Sequence, residues 1–241
     1  MRLTAELLAY LGDEKYSNAL PVRFEREAVD CEYRSRFDVL RELCRGKRVI
    51  HVGCVDHDVM SIEKKIQRGK WLHKELCTVT AACFGVDIRQ DGIEYIRDVL
   101  GYDQAAVLDI LHDADDRLDQ ETWDYILLPE VLEHIPDPRA FLAALGDRFR
   151  GKVGELVITV PNAFSRENAR HAAMEVEIIN SDHCFWFTPY TLSRIVTKAG
   201  MSVEQIVMCR HGIVKKRALF RNAYYRRHPM LRNNIVARIR L

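Results

Sequence analysis

KRVIHVGCVDH (residues 47–57) opens a stretch, closed by GELVITVPN (154–162), in which short apolar runs alternate with helix-patterned segments. Between those ends lie CFGVDI (83–88), AAVLDI (105–110) and DYILLPE (124–130), with helices expected near 59–77, 91–100 and 138–149. Strands that are apolar throughout, rather than on every second residue, are strands covered on both faces, so the alternation predicts a parallel sheet with helices on both sides. Working outward, a polar stretch follows Asn162, then a helix near 189–199, a strand at 201–208, a basic helix near 213–227 and a last strand in NNIVARIRL (233–241). The two closing strands lack an obvious right-handed crossover, which predicts an antiparallel edge on a seven-stranded, mostly parallel sheet. Upstream, 3–11 and 25–44 read as two amphipathic helices, the second from Val29, Tyr33, Phe37 and Leu40 at helical spacing. The expected division is an N-terminal helical cap, 1–44, built into the same unit as a domain over 45–241.

The 241 residues are 48% hydrophobic, enough for a full-sized core, which excludes disorder as the overall state. Seven scattered cysteines, Cys31, Cys44, Cys54, Cys77, Cys83, Cys184 and Cys209, contain no C-x-x-C pair. That argues against a disulfide framework or a thiolate zinc site and for a reducing, cytoplasmic location. No apolar run approaches the roughly 20 residues of a membrane span, and the acids in MRLTAELLAYLGDEKY do not suit a signal peptide. Net charge is +1, but every residue after Glu204 that carries charge is basic: ten Lys/Arg follow, against 26 basic and 35 acidic residues before. Such a tail can meet a polyanion, an anionic membrane surface or the acidic body of the chain itself.

In an open α/β sheet ligands bind beyond the carboxyl ends of the strands, where strand order reverses. The residues expected there are Val52, Gly53 and Cys54 after the first strand, Asp87 and Ile88 after the second, Asp109 and Ile110 after the third, and Pro129 and Glu130 after the fourth. An acid after the second strand can accept two ribose hydroxyls, and one after the third can accept an adenine amino group. With KRVIHVGC, FGVDI, AAVLDI, DYILLPEVLEHIPDP, GELVITVPN and the Phe187–Met201 segment in this order, residues 45–209 resemble the class I S-adenosylmethionine-dependent methyltransferases. The resemblance implies a Rossmann-like fold, S-adenosyl-L-methionine as cofactor, and cofactor contacts from Val52, Gly53, Cys54, Asp87, Ile88, Asp109, Ile110 and Pro129. One departure stands out: the family's first loop usually reads D/E-x-G-x-G-x-G, and here only Gly53 of its glycines is present, Val55 and His57 standing in the later positions. Their side chains are expected to widen or redirect the loop.

Glu130, Glu133 and His134 fall at i, i+3 and i+4, so on a helical turn they would share one side. His183, in DHCFWFT (182–188), is expected to return over the same mouth. Together they suit proton removal or a divalent cation such as Mg²⁺. The pattern is similar to that of the metal-dependent small-RNA 3′-terminal 2′-O-methyltransferases, and to that of ubiquinone-pathway-type O-methyltransferases acting on catechols. Both substrate classes offer vicinal oxygens. The implied alternatives for these four residues are a metal set, a metal-free base in His134 or His183, or purely structural pairing. Asn162 reads as a chain turn rather than a substrate ligand, and Trp71-Leu72-His73 as a core Trp and Leu beside a helix-surface His.

Three functions follow. The first is O-methylation of a small-molecule or saccharide hydroxyl, with helices 3–44 covering the crevice. The second is RNA terminal ribose 2′-O-methylation with the basic tail holding phosphates. The third is an inactive cofactor-binding scaffold, suggested by the altered first loop. Leu219, Phe220, Ala223 and Tyr224 are expected on one side of the basic helix, either covering the sheet edge or facing a membrane or RNA.

Overall fold

The computed structural model describes residues 1–241. In chain order, α1 (Ala5–Leu11) and α2 (Arg36–Leu43) precede β1 (Arg48–Val52), and α3 (Val59–Gln67) and α4 (Leu72–Cys77) lead to β2 (Ala82–Asp87). Then α5 (Gln90–Glu94), prolonged by a wide turn over Tyr95–Val99, leads to β3 (Ala105–Val107), and α6 (Asp116–Asp119) to β4 (Trp123–Pro129). Next come α7 (Pro138–Phe149), β5 (Val153–Pro161), α8 (Arg166–Ala172), α9 (Pro189–Lys198), β6 (Ser202–Cys209), α10 (Leu219–Arg227) and β7 (Asn234–Arg240). The sheet order is β3-β2-β1-β4-β5-β7-β6. Only β7 runs antiparallel, wedged between β5 and β6 from Glu155↔Arg240 to Pro161↔Asn234 and from Ser202↔Arg240 to Cys209↔Asn234. β1 has β2 on one side and β4 on the other, so the order reverses there and a crevice opens above their carboxyl ends.

The central strands are apolar on both faces because helices cover both. Ile50, Ile126, Leu127, Leu156, Val157 and Ile158 are all fully buried. They divide between two core clusters, one holding Ile50, Ile126 and Ile158 with α7 and α9, the other Leu127 and Val157 with α2 and α4. This is the Rossmann-like, mostly parallel, seven-stranded arrangement expected from the sequence.

Local departures have local causes. Residues 25–44 do not form one helix: a short turn at Ala28–Cys31 is followed by extended residues, and Ser35 restarts the chain as the cap of α2 through reciprocal bonds with Asp38. The expected helix at 59–77 breaks in two around Gly69, whose φ of +61° ends α3. The polar stretch after Asn162 contains α8, started by the Ser165 hydroxyl accepting from Asn168 N–H. The basic helix is shorter than expected and buries another face: Asn222 and Tyr225 are inside, while Phe220 is 95% exposed.

The first 44 residues also sit elsewhere than expected. Met1 N–H₃⁺ donates to the Ile206 carbonyl at 2.6 Å and pairs with buried Asp30 at 2.9 Å, tying the terminus to the β6 edge. Arg194 of α9 donates to the Tyr10 and Leu11 carbonyls, so α1 lies on α9 rather than over the crevice. Arg36 alone among these residues lines the crevice. The basic tail is partly consumed by the fold: Arg232 is buried and donates to three carbonyls, and Arg238 and Arg240 pair with Glu155 and Glu204. No helix is long and apolar enough to cross a membrane.

Candidate active site

Above the β1/β4 switch lies a cleft of about 760 Å³, within the range of small-molecule sites. Gly53, Cys54, Asp87, Ile88, Pro129, Glu130, Glu133, His134 and His183 all line it. Of the residues expected at the strand ends, Val52, Asp109 and Ile110 do not. β3 ends at Val107, and Asp109 folds into its own turn, its Oδ1 accepting Leu111 N–H at 2.9 Å and its N–H donating to Asp113 at 2.8 Å. The sequence run AAVLDI had suggested a longer strand.

The first loop is rebuilt rather than stripped. Gly53 has φ +75°, and a Cβ there would lie 3.0 Å from Val131 Cγ2. Val55, in place of a glycine, turns inward and is fully buried. Its space comes from Gly92 of α5, where a Cβ would fall 2.1 Å from Val55 Cγ1. Asp56 takes the left-handed conformation with φ 72° and pairs with Lys65. Asp87 fixes the loop: Oδ2 accepts Val55 N–H at 3.0 Å and Oδ1 accepts Arg89 N–H at 3.0 Å. A carboxylate has acceptor capacity beyond these two bonds. Burial pushes the Asp87 carboxyl up, and the backbone N–H groups work against that rise.

Glu130, Glu133 and His134 do not share one helical side. Glu130 has φ 57°, and only Leu132–His134 form a short turn. Glu130 therefore points back to the sheet, where Oε1 accepts from Thr159 Oγ1 at 2.7 Å and Asn234 Nδ2 at 2.9 Å and pairs with Arg36 at 3.0 Å. Its Oε2 faces His211 Nδ1 at 3.2 Å. Burial alone would raise this carboxyl, but Arg36, His211 and Asn234 outweigh it and hold it well below the usual carboxylate range. Arg36 was not singled out from the sequence, because nothing in EYRSRFD distinguishes an arginine that turns inward from one facing solvent.

Glu133 is the opposite case. It is fully buried, and neither carboxyl oxygen has a hydrogen-bond partner. Burial, reinforced by the neighbouring Glu130 charge, pushes it up to about 9. Its backbone carbonyl accepts Cys184 N–H at 2.8 Å, which brings the 182–188 segment alongside. The His134 and His183 rings meet edge to face at 4.6 Å, and one donor atom each from Glu133, His134 and His183 lies within 4.8 Å of the others. His134 Nδ1 is 3.1 Å from Asp182 Oδ2, while His183 Nδ1 is buried without a partner. Burial and His134 hold His183 below the usual imidazole value. Glu130 is outside this donor group because its oxygens are already engaged.

Asn162 serves the chain, its Nδ2 donating to the Met230 and Arg232 carbonyls at 2.8 and 2.6 Å. Trp186 stands between the main cleft and an adjoining cavity of about 420 Å³ that includes Ala163, Ala172, Val176 and Ile178. His73 is not at the helix surface: it is fully buried, its Nδ1 3.1 Å from that of buried His51.

The family model described as a methyltransferase domain matches residues 25–206. Among solved structures, the chain is similar to magnesium protoporphyrin IX methyltransferase from Synechocystis PCC 6803 with bound SAH, at 13% identity and TM-score 0.50, covering 85% of this chain and 81% of that one. A methyltransferase from Clostridium acetobutylicum, described as S-adenosylmethionine-dependent, superposes at 11% identity and TM-score 0.51, covering 85% and 90%. A small RNA methyltransferase superposes at 18% identity and TM-score 0.54, covering 91% of this chain but only 27% of that one. A search of curated proteins returned no match. With the family model spanning most of the chain and the sheet order that of the fold, the protein belongs to the methyltransferase domain family and is a class I, S-adenosylmethionine-dependent methyltransferase.

Proposed function

We propose that the chain methylates a hydroxyl oxygen of a small-molecule or saccharide acceptor. The observation that carries this reading is the group Glu133, His134 and His183, with its unpartnered carboxyl and unpartnered ring nitrogen, in the same cleft as Gly53 and Asp87. In this reading Gly53, Cys54, Ile88 and Pro129 surround the cofactor at the strand ends, over Val52. Asp87 accepts the ribose hydroxyls with the capacity its two backbone bonds leave free. Methyl transfer is a single in-line displacement at the methyl carbon, so the protein must align the acceptor oxygen and take its proton. His183, whose ring lines the cleft, is the residue proposed to accept that proton, and Asp182 orients His134 beside it.

The donor chemistry also fits a divalent cation. A buried carboxyl with both oxygens orphaned, beside two imidazoles, lacks what a cation supplies, and Glu133, His134 and His183 would hold it. When bound, such an ion lowers the pKa of a coordinated hydroxyl. With Glu133 neutral near pH 7, five carboxylates, Asp56, Asp87, Glu130, Glu167 and Asp182, line the cleft against four cations, Arg36, Lys65, Lys70 and Arg89, so the cleft has no basic excess to draw in a threaded polyanion and a compact acceptor is favoured. The apolar side cavity beyond Trp186 suits an acceptor with an apolar or planar portion.

The test is release of S-adenosylhomocysteine with catechols, sugars and 3′-terminal RNA, each with and without Mg²⁺ or Mn²⁺, repeated in His183→Ala. Expected is turnover on a hydroxyl acceptor that collapses in the variant while cofactor affinity stays. Undiminished turnover in His183→Ala overturns the assignment. The RNA reading draws on the start of α10, where Phe220 is almost fully exposed, and on the exposed Lys215, Lys216 and Arg217 just before it. It requires RNA affinity that falls steeply with salt.

A further inference from the structure

His73, Cys77 and Cys83 were far from a recognisable metal motif in the sequence, yet the fold gathers them. His73 and Cys77 stand one turn apart on α4, and Cys83 is the second residue of β2, the strand beneath. One His73 ring nitrogen and both sulfurs lie within 4.8 Å of one another. Cys77 Sγ is 3.8 Å from His73 Nε2, and Cys83 Sγ is 3.8 Å from His73 Nδ1. With Zn–S and Zn–N lengths of about 2.3 and 2.0 Å, a tetrahedral site needs donor separations of about 3.5–3.8 Å, which Cys77 Sγ and His73 Nε2 already meet, while Cys83 Sγ, now beside Nδ1, must turn toward Nε2 to complete the set.

The place is built around the imidazole. A Cβ on Gly85 would fall 2.9 Å from His73 Cε1, so only glycine on β2 leaves room for the ring. Trp71 and Tyr102 hold the ring at centroid distances of 5.5 and 5.7 Å. His51 Nδ1 meets His73 Nδ1 at 3.1 Å and can accept its N–H, in the outer-shell position that a carboxylate, carbonyl or water usually takes beside a metal-bound histidine.

We propose that His73, Cys77 and Cys83 form a thiolate–imidazole site for Zn²⁺, separate from Glu133, His134 and His183. His73 binds through Nε2 while its Nδ1–H donates to His51, and the two thiols give up their protons to solvent on binding. Two soft sulfur donors with one imidazole select Zn²⁺ over Mg²⁺ or Ca²⁺, and three protein donors leave the fourth tetrahedral position open. Half-buried Cys77 gives the ion its way in. The ion clamps α4 to β2, the strand that ends in Asp87, so the site stabilises the cofactor wall whatever the methyl acceptor is.

Reduced, chelator-treated full-length protein is titrated with Co²⁺ as a spectroscopic substitute. The expected result is one equivalent giving thiolate-to-cobalt charge transfer with tetrahedral ligand-field bands, displaced by Zn²⁺ and unaltered in His183→Ala. Cys77→Ser and Cys83→Ser should each weaken binding by more than the roughly 10–100-fold that losing an outer-shell partner costs. Absence of the charge-transfer band, or its survival in Cys77→Ser with affinity and intensity undiminished, overturns the proposal. Should those variants not fold, iodoacetamide labelling of the unsubstituted protein decides the matter by mass spectrometry. Zn²⁺ must protect Cys77, and equal labelling with and without Zn²⁺ overturns the site.

Discussion

Glu130→Gln separates a carboxylate that holds the fold from one that does chemistry. In the structure the Glu130 charge is the partner of Arg36, whose side chain is only 9% exposed, and Oε1 also takes hydrogen bonds from Thr159 and Asn234. The amide keeps the shape and one acceptor but removes the charge, leaving a buried guanidinium uncompensated. Breaking a buried pair from one side costs about 3–5 kcal/mol. Because the Glu130 side chain is 19% exposed and the amide oxygen still accepts, the expected loss falls just below that range, about 2–3 kcal/mol. For a chain of this size that corresponds to a melting-point drop of roughly 4–12 °C. The pH dependence carries a definite sign. The folded-state pKa of Glu130 is depressed below its unfolded value near 4.3, so its stabilisation is present above that value and is lost as pH falls through the folded one. Denaturant unfolding of the two proteins should therefore give a difference that is constant from about pH 8 to 5 and shrinks in stronger acid. A variant as stable as the parent, yet inactive, would refute the structural role and return Glu130 to the chemistry.

Two further substitutions probe the cofactor side of the cleft. Asp87→Ala should lower S-adenosylmethionine affinity by about 10–100-fold in calorimetry, the worth of hydrogen bonds to a charged acceptor, while His183→Ala binds normally; equal affinities contradict the proposed map. Gly53→Ala must hold alanine at φ +75° with its Cβ against Val131, which predicts a stability loss of about 1–3 kcal/mol in denaturant unfolding together with weaker cofactor binding. An unchanged unfolding midpoint would show that the loop relaxes freely.

Much of this protein could be read from the chain alone, because short-range physics wrote it there. Runs such as RVIHV, YILLP and ELVITV carry apolar residues at consecutive rather than alternate positions because both sheet faces are covered, so strand identity and sheet class were legible without coordinates. Asp87 and Gly53 were legible for the same reason, since a strand end fixes where its next residue must go. Helix continuity was less legible. Apolar spacing persists through 25–44 and 59–77, while the Ser35–Asp38 cap and Gly69 break the backbone locally.

What tertiary structure decided was which polar side chains meet. Glu130 and Glu133, three residues apart, received opposite environments: one is compensated by Arg36 from α2 and Asn234 from β7, the other is buried with nothing to bond. Those partners lie 94 and 104 positions away, beyond any local pattern. His73, Cys77 and Cys83 likewise became neighbours only when α4 settled on β2 over the space left by Gly85. Hydrophobic periodicity follows from each segment's own contact with the core, whereas the charge state and pairing of a buried polar group depend on every element that closes around it.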